Sequence, residues 1–330
     1  MKKALILTLA LALALSLAAC GGSTTSATTT TTTASTAKVY NIGICQLVQH
    51  DALDAATQGF KDAVVEGLGE ANVKFDEQNA SGDSATCTTI CTGFVANKVD
   101  LIMANATPAL QAAVSATTTI PVLGTSVTDY GAGLGIEMDP AKGTGINVSG
   151  SSDLVPAQLY ANLVKELLPD ATKVNILYCS AEANSVFQSD NFIACMDEMG
   201  IATEVFTFAD SNDIQMVATA AAENCDAIYI PTDNTAASNI TIVRNITEAK
   251  GLPVICGEPN MCRNGGLATV SISYYDIGRA CGKQAVEILK NGADVATMPI
   301  AYAENPVKEY NPAYAENIGF TMPEGFQAIQ

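Results

Sequence analysis

From about residue 39 to residue 303, short apolar runs alternate with stretches of helical spacing. Val39-Tyr-Asn-Ile-Gly-Ile44 predicts a strand, followed by a polar loop to His50. Leu53, Ala56, Phe60, Val64 and Leu68 then share one face, which predicts a helix over 53–68. Val73–Phe75 predicts a second strand, and 84–97 a second helix with Ser84 as its cap. Val99–Met103 predicts a third strand, 109–116 a third helix, and Ile120–Leu123 a fourth strand. Repeated βα units imply a parallel sheet covered on both faces.

Gly143-Thr-Gly-Ile-Asn-Val-Ser-Gly150 interrupts the rhythm, and a crossing to a second lobe is expected near Ser149–Pro156. The rhythm then restarts. Helices are predicted over 154–168, 186–199, 211–222 and 236–249, and strands over 173–178, 201–208, 227–230, 253–256 and 268–272. A helix over 274–289 and a strand over 299–303 are expected to recross between lobes. The halves share a plan: a first strand with a polar loop (45–51, 179–185), a later strand ending in a Thr-containing loop (105–108, 232–235), then Ile120-Pro121 or Leu252-Pro253. This reads as structural duplication. At 330 residues the chain exceeds the usual single core. The expected fold class is α/β: two Rossmann-like lobes, each a parallel sheet flanked by helices. Lobe 1 is expected over 39–152 plus about 273–297, and lobe 2 over 153–272 plus about 298–330.

Composition narrows the function. Hydrophobic residues make up 48% of the chain and charged residues 15%, which excludes a disordered chain. A net charge of −18 argues against nucleic acid, whose phosphates would repel it. Lys2 and Lys3 precede an apolar run from Ala4 to Leu17, too short to read as a membrane span, and Leu17-Ala-Ala-Cys20 follows. This order resembles a bacterial lipobox. The resemblance implies cleavage before Cys20, lipidation of its thiol, and an anchored protein on the extracytoplasmic face of the cell membrane. Residues 21–38, with six consecutive threonines at 28–33, read as a flexible tether. Nine cysteines remain beyond Cys20. Cys87 and Cys91 lie four apart on one helix face, where a strain-free disulfide is hard to make. Cys256 and Cys262 flank a loop and could pair; otherwise most of the cysteines read as small buried apolar groups.

Several blocks together resemble the substrate-binding lipoproteins of an ABC importer family linked to tryptophan and tyrosine, often called TrpX-like. They are Ile42–His50, Leu53–Phe60, Ser126–Asp129, Asn147–Leu154, Ser180–Ser185, Pro231–Asn234 and Ile272–Gly278. The family's His-Pro-Ala-Leu-Asp loop reads His50-Asp-Ala-Leu-Asp54 here. The resemblance implies a type I periplasmic-binding-protein fold, a three-segment hinge, and closure of two lobes on a solute. It also implies ABC permease and ATPase subunits as partners. An aromatic amino acid is the favoured solute; another amino acid, a nucleoside, or a ligand-sensing receptor role are the alternatives. A monomer is expected, with no cofactor, no metal and no catalysis: neither a Gly-x-Ser-x-Gly elbow nor a Walker motif is present.

In open α/β sheets ligands bind beyond the carboxyl ends of strands. A free amino acid needs a carboxylate for its ammonium and neutral donors for its carboxylate. The Thr232-Asp233-Asn234 loop supplies Asp233 as ammonium partner, with capping of the following helix as its other reading. Asn184 and Ser185 open a helix whose N-terminus suits an anion. Thr107, Ser126 and Thr128 offer strand-end hydroxyls, with turn stabilisation as the alternative. Gln46 and His50 flank the first loop and are candidates for cleft contact. Tyr274 is placed either to stack on an aromatic ligand or to pack in the hinge.

Overall fold

A computed structural model describes residues 38–329. The lipobox with Cys20, and the tether before Lys38, lie outside the described residues. In the first half the strands are β1 (Tyr40–Gln46), β2 (Val73–Asn79), β3 (Leu101–Asn105), β4 (Val122–Val127) and β5 (Val148–Ser152). Between them lie α1 (Asp51–Leu68), α2 (Ser84–Ala96), α3 (Thr107–Ala116) and α4 (Tyr130–Leu134). Asp83, not Ser84, caps α2, accepting from the Thr86 N–H.

The second half opens with α5 (Ala157–Leu167), which starts after Pro156 rather than at residue 154 because proline suits a helix entry. It continues through β6 (Lys173–Cys179), α6 (Ala183–Glu198), β7 (Ala202–Phe208), α7 (Ile214–Ala221) and β8 (Ala227–Ile230). The helix expected over 236–249 is two helices, α8 (Asn234–Ser238) and α9 (Ile240–Lys250), parted at Asn239. Then come β9 (Val254–Cys256), α10 (Pro259–Gly265), β10 (Ala268–Ser271) and α11 (Tyr274–Asn291). The chain closes with β11 (Ala301–Tyr302), β12 (Val307–Tyr310), α12 (Pro312–Asn317) and β13 (Gln327–Ala328).

Two sheets result, ordered β11-β5-β4-β3-β1-β2 and β13-β12-β10-β9-β8-β6-β7. From β5 to β2 and from β10 to β7 the orders match position for position, so the duplication read from the sequence is present in the topology. The first sheet is wholly parallel; in the second, β12 runs antiparallel to β10. The edge strands β2 and β7 are mostly exposed, whereas β3, β4, β8 and β9 are buried throughout. Three segments join the sheets: 153–156, 272–273 and 303–306. The last crossing therefore falls after Tyr302, not near residue 298, because β11 pairs with β5.

Side-chain alternation divides the first lobe's core. Ile42, Ile44, Leu101 and Met103 pack toward α1 and α11, with Phe60, Cys281 and Ala285. Cys45, Ile102 and Ala104 pack toward α2 and α3, with Phe94 and Leu110. Helix α11 returns from the second lobe to lie against α1. Glycines permit this approach: a Cβ on Gly59 would meet the Tyr275 carbonyl, and one on Gly278 the Ala56 carbonyl. All nine cysteines among the described residues are free, including Cys256 and Cys262, and seven of them are buried. They act as small apolar groups.

Candidate functional site

The carboxyl ends of both sheets carry the polar loops, and the first lobe's are strained. Ala106, after β3, has φ of 87°, and Ser126, near the end of β4, has φ of 54°. Both values lie in a region that L side chains rarely adopt. Asn105 pairs with Thr125, so these residues are neighbours on adjacent strands. The turn at Ala106 starts α3 without any side-chain cap. The hydroxyls of Thr107 and Ser126, both buried, have no hydrogen-bond partner. An uncapped helix N-terminus flanked by two unpaired hydroxyls has the chemistry that suits an anion.

The second lobe's loops are self-satisfied. Asp233 caps α8, accepting from the Ala236 N–H at 2.7 Å. Its other oxygen accepts from the Cys179 N–H and the Ser185 hydroxyl, both at 2.7 Å. Of the two roles read from the sequence, capping is the one these contacts build. Glu182, in the loop after β6, accepts from the backbone N–H groups of Asn234 and Thr235 at 3.1 and 2.8 Å. It also accepts from the Asn234 amide and Thr235 hydroxyl. Two buried carboxylates thus surround the N-terminus of α8. Burial raises the Asp233 carboxyl above the usual carboxylate range, and the Glu182 charge adds to the effect. Ser185 is committed to Asp233, and the Asn184 amide donates to the Thr232 carbonyl at 2.7 Å. The Asn184 carbonyl oxygen and the Ser189 hydroxyl, one turn along α6, are buried without partners.

Side-chain hydrogen bonds tie the lobes. His50 Nε2 lies 3.2 Å from Asn234 Oδ1. Because the Asn234 amide nitrogen donates to Glu182, its oxygen faces His50, so His50 donates from Nε2 and carries its lone pair on Nδ1. That Nδ1 is buried and unpaired, and burial holds the imidazole below its ordinary pKa. Gln188 donates to the Thr128 hydroxyl at 2.9 Å and accepts from the Thr232 N–H at 2.9 Å. Asp51, which replaces the family's proline, accepts from Asn264 at 3.4 Å. At the hinge, Thr128 and Tyr274 donate to the two oxygens of Asp153 at 2.9 and 3.0 Å. Tyr274 is buried in the second lobe's core, so its hydroxyl rather than its ring face is engaged.

The structure thus brings His50, Thr107, Ser126, Thr128, Asn184, Ser185, Thr232, Asp233, Asn234 and Tyr274 to the strand ends and hinge. Gln46 is turned into its own lobe: it donates to Asp54 at 2.6 Å and accepts from Thr57 at 2.7 Å. Sequence reading passed over Glu182, Gln188 and Asp153. Glu182 and Asp153 were visible as acids among small residues in strand-end loops; Gln188, inside α6, gave no such mark. Toward the outer edges, a cavity of about 470 Å³ separates the lobes, lined by Leu47, Val48 and Pro108 on one side and Glu182, Asp210 and Thr235 on the other. No group of three or more His, Cys, Asp or Glu able to hold a metal occurs among the described residues.

Two mainly parallel sheets, each repeating one plan and joined by three crossings with polar groups between them, define a two-lobed solute-binding protein. The model of the ABC transporter substrate binding protein family matches residues 41–328. The chain belongs to that family, whose members bind small solutes and work with ABC transporter components. It is 35% identical over 266 residues to a tyrosine-binding protein of Clostridioides difficile, covering 80% of this chain and 76% of that one. A Streptococcus pneumoniae ABC domain in complex with L-Trp superposes with a TM-score of 0.82 at 35% identity, covering 87% of this chain and 97% of that one. The ligand-free, open structure of a Clostridium difficile substrate binding protein with adhesive properties gives 0.67 at 34% identity, covering 88% and 99%. The chain superposes better on the L-Trp complex than on the open structure, and hydrogen bonds run between its lobes.

Proposed function

We propose that the chain captures an aromatic amino acid between its lobes and presents it to an ABC permease. The observation that carries the amino-acid reading is the set of buried polar atoms without partners at the strand ends: Thr107 Oγ1, Ser126 Oγ, Asn184 Oδ1 and His50 Nδ1. Leaving such groups unpaired costs about 1–3 kcal/mol each, so a polar ligand that engages them gains correspondingly. Electrostatics orient it. Glu182 and Asp233 already crowd the N-terminus of α8, which disfavours a second anion there. The uncapped N-terminus of α3, with Thr107 and Ser126, is therefore the carboxylate's place, rather than Asn184 and Ser185. The relatives that bind tyrosine and L-Trp support an aromatic side chain.

Binding favours the closed state because both lobes contribute contacts only when they meet. The lipobox-like segment supports cleavage before Cys20 and anchoring by lipid on the extracytoplasmic face. Among the described residues no helix is long and apolar enough to cross a membrane. The ligand class is tested by a thermal-shift screen of amino acids, nucleosides and sugars. A ligand at one hundred times its Kd stabilises by about 2.7 kcal/mol. L-Tryptophan or L-tyrosine is expected to raise the melting temperature most; a response confined to sugars or nucleosides would overturn the reading.

A further inference from the structure

The four most buried acids near the cleft differ in what holds them. Glu182, Asp233 and Glu258 each accept backbone N–H groups at a helix N-terminus. Asp153 instead receives one hydroxyl on each oxygen, from Thr128 and Tyr274, and no cation is among its partners. It is 3% exposed. Burial raises its carboxyl above the usual range, and the two hydroxyls only partly oppose this. A buried carboxylate with two neutral donors lacks its counter-charge.

Its position is as telling. Ser152 pairs with Val127, so Asp153 stands beside Thr128 on the neighbouring strand, just past Ser126. The ammonium and carboxylate of an amino acid share one carbon, so their protein partners must be close together. Ser126 and Thr128 are only two residues apart in the chain. Asp233 is in the other lobe with both oxygens occupied. Thr128 also receives Gln188 from the second lobe, so the group beside Asp153 is complete only when the lobes meet.

We propose that Asp153 is the counter-ion of the ligand's ammonium, a proposal that rests on the amino-acid reading above. Thr128 and Tyr274 are its positioning residues: their hydroxyls aim the carboxylate and favour its ionised form against burial. The phenols of Tyr130, Tyr160 and Tyr274, all held neutral by burial, interact with it, and Glu258 acts on Tyr160 and Tyr274 as well. Loss of a charge-assisted hydrogen bond in a closed site corresponds to an affinity loss of about tenfold to a hundredfold.

The test is calorimetric titration of the full chain and its variants with L-tryptophan, L-tyrosine and indole-3-propionate, which lacks the ammonium. Asp153→Asn is expected to weaken both amino acids by that factor and to leave indole-3-propionate within about threefold. Amino-acid affinity equal to wild type in Asp153→Asn would overturn the assignment. Wild type that bound neither amino acid would overturn the underlying function reading instead. Tyr274→Phe covers the case in which Asp153→Asn does not fold. It removes one donor to the ionised carboxylate, so the pH at which L-tryptophan binding fails on acidification should rise, while indole-3-propionate binding follows its wild-type profile. An unmoved L-tryptophan profile would count against Asp153.

Discussion

Replacing Asp233 by alanine separates the two roles its sequence context allows. If the carboxylate served only a ligand, the free protein would be indifferent to its removal. The structure gives it three donors: the Ala236 and Cys179 N–H groups and the Ser185 hydroxyl. Loss of an N-cap costs about 1 kcal/mol. The buried Cys179 N–H and Ser185 hydroxyl, left without partners, cost about 1–3 kcal/mol each. Relief of the carboxyl's own desolvation offsets part of this, which leaves a net of about 2–4 kcal/mol. For domains of this size that is a fall of roughly 5–15 °C in melting temperature. The assay is circular dichroism melting of the ligand-free protein, with Asp233→Asn alongside. A melting temperature within about 1 °C of wild type in Asp233→Ala would refute the capping account.

Acidity supplies a second expectation. Burial raises the folded-state pKa of Asp233 to about 8 and of Glu258 to about 7. Both lie above the unfolded carboxylate range near about 4, so their contribution to stability is complete below about pH 4 and is lost as pH rises through about 7–8. The melting temperature of the ligand-free protein should fall across that window, and Glu258→Gln should flatten the slope; an unchanged slope would contradict it. Gly278→Ala forces a methyl into the Ala56 carbonyl and should destabilise by about 1–3 kcal/mol in urea unfolding, whereas Gly82→Ala, where no atom lies within 4 Å, tests φ strain alone. Thr107→Val with Ser126→Ala removes both unpaired hydroxyls. It should weaken amino-acid binding about tenfold or more in calorimetry without lowering the melting temperature of the free protein. Cys20→Ser should move the protein from the membrane to the soluble fraction, as read by fractionation of cells.

The fold was largely legible because βα alternation writes itself in period and apolar runs. Strand β5 was not: Val-Ser-Gly-Ser-Ser is buried by its neighbours β4 and β11, not by its own hydrophobicity. Strand β11, only two residues long, took its sheet from pairing that no local pattern reports. At the site, strand-end position found the polar loops, and the structure places Thr107, Ser126 and Asp233 in them. Strand-end position did not tell which groups are spent within their own lobe. Asp233, Ser185 and Gln46 are satisfied by contacts 8 to 54 residues away, while Thr107 and Ser126 are left open. Nor did it single out Asp153, whose importance comes from Thr128, Tyr274 and Gln188 converging across a hinge.

The central claim is that an amino acid, held by both charged ends, closes this cleft. Calorimetric titration of the purified protein with L-tryptophan and L-tyrosine, beside tryptamine, which lacks the carboxylate, tests it most directly. One-site binding of at least one amino acid with a negative heat-capacity change is predicted, together with loss of binding for tryptamine. No heat from either amino acid, or tryptamine bound as tightly as L-tryptophan, would contradict it.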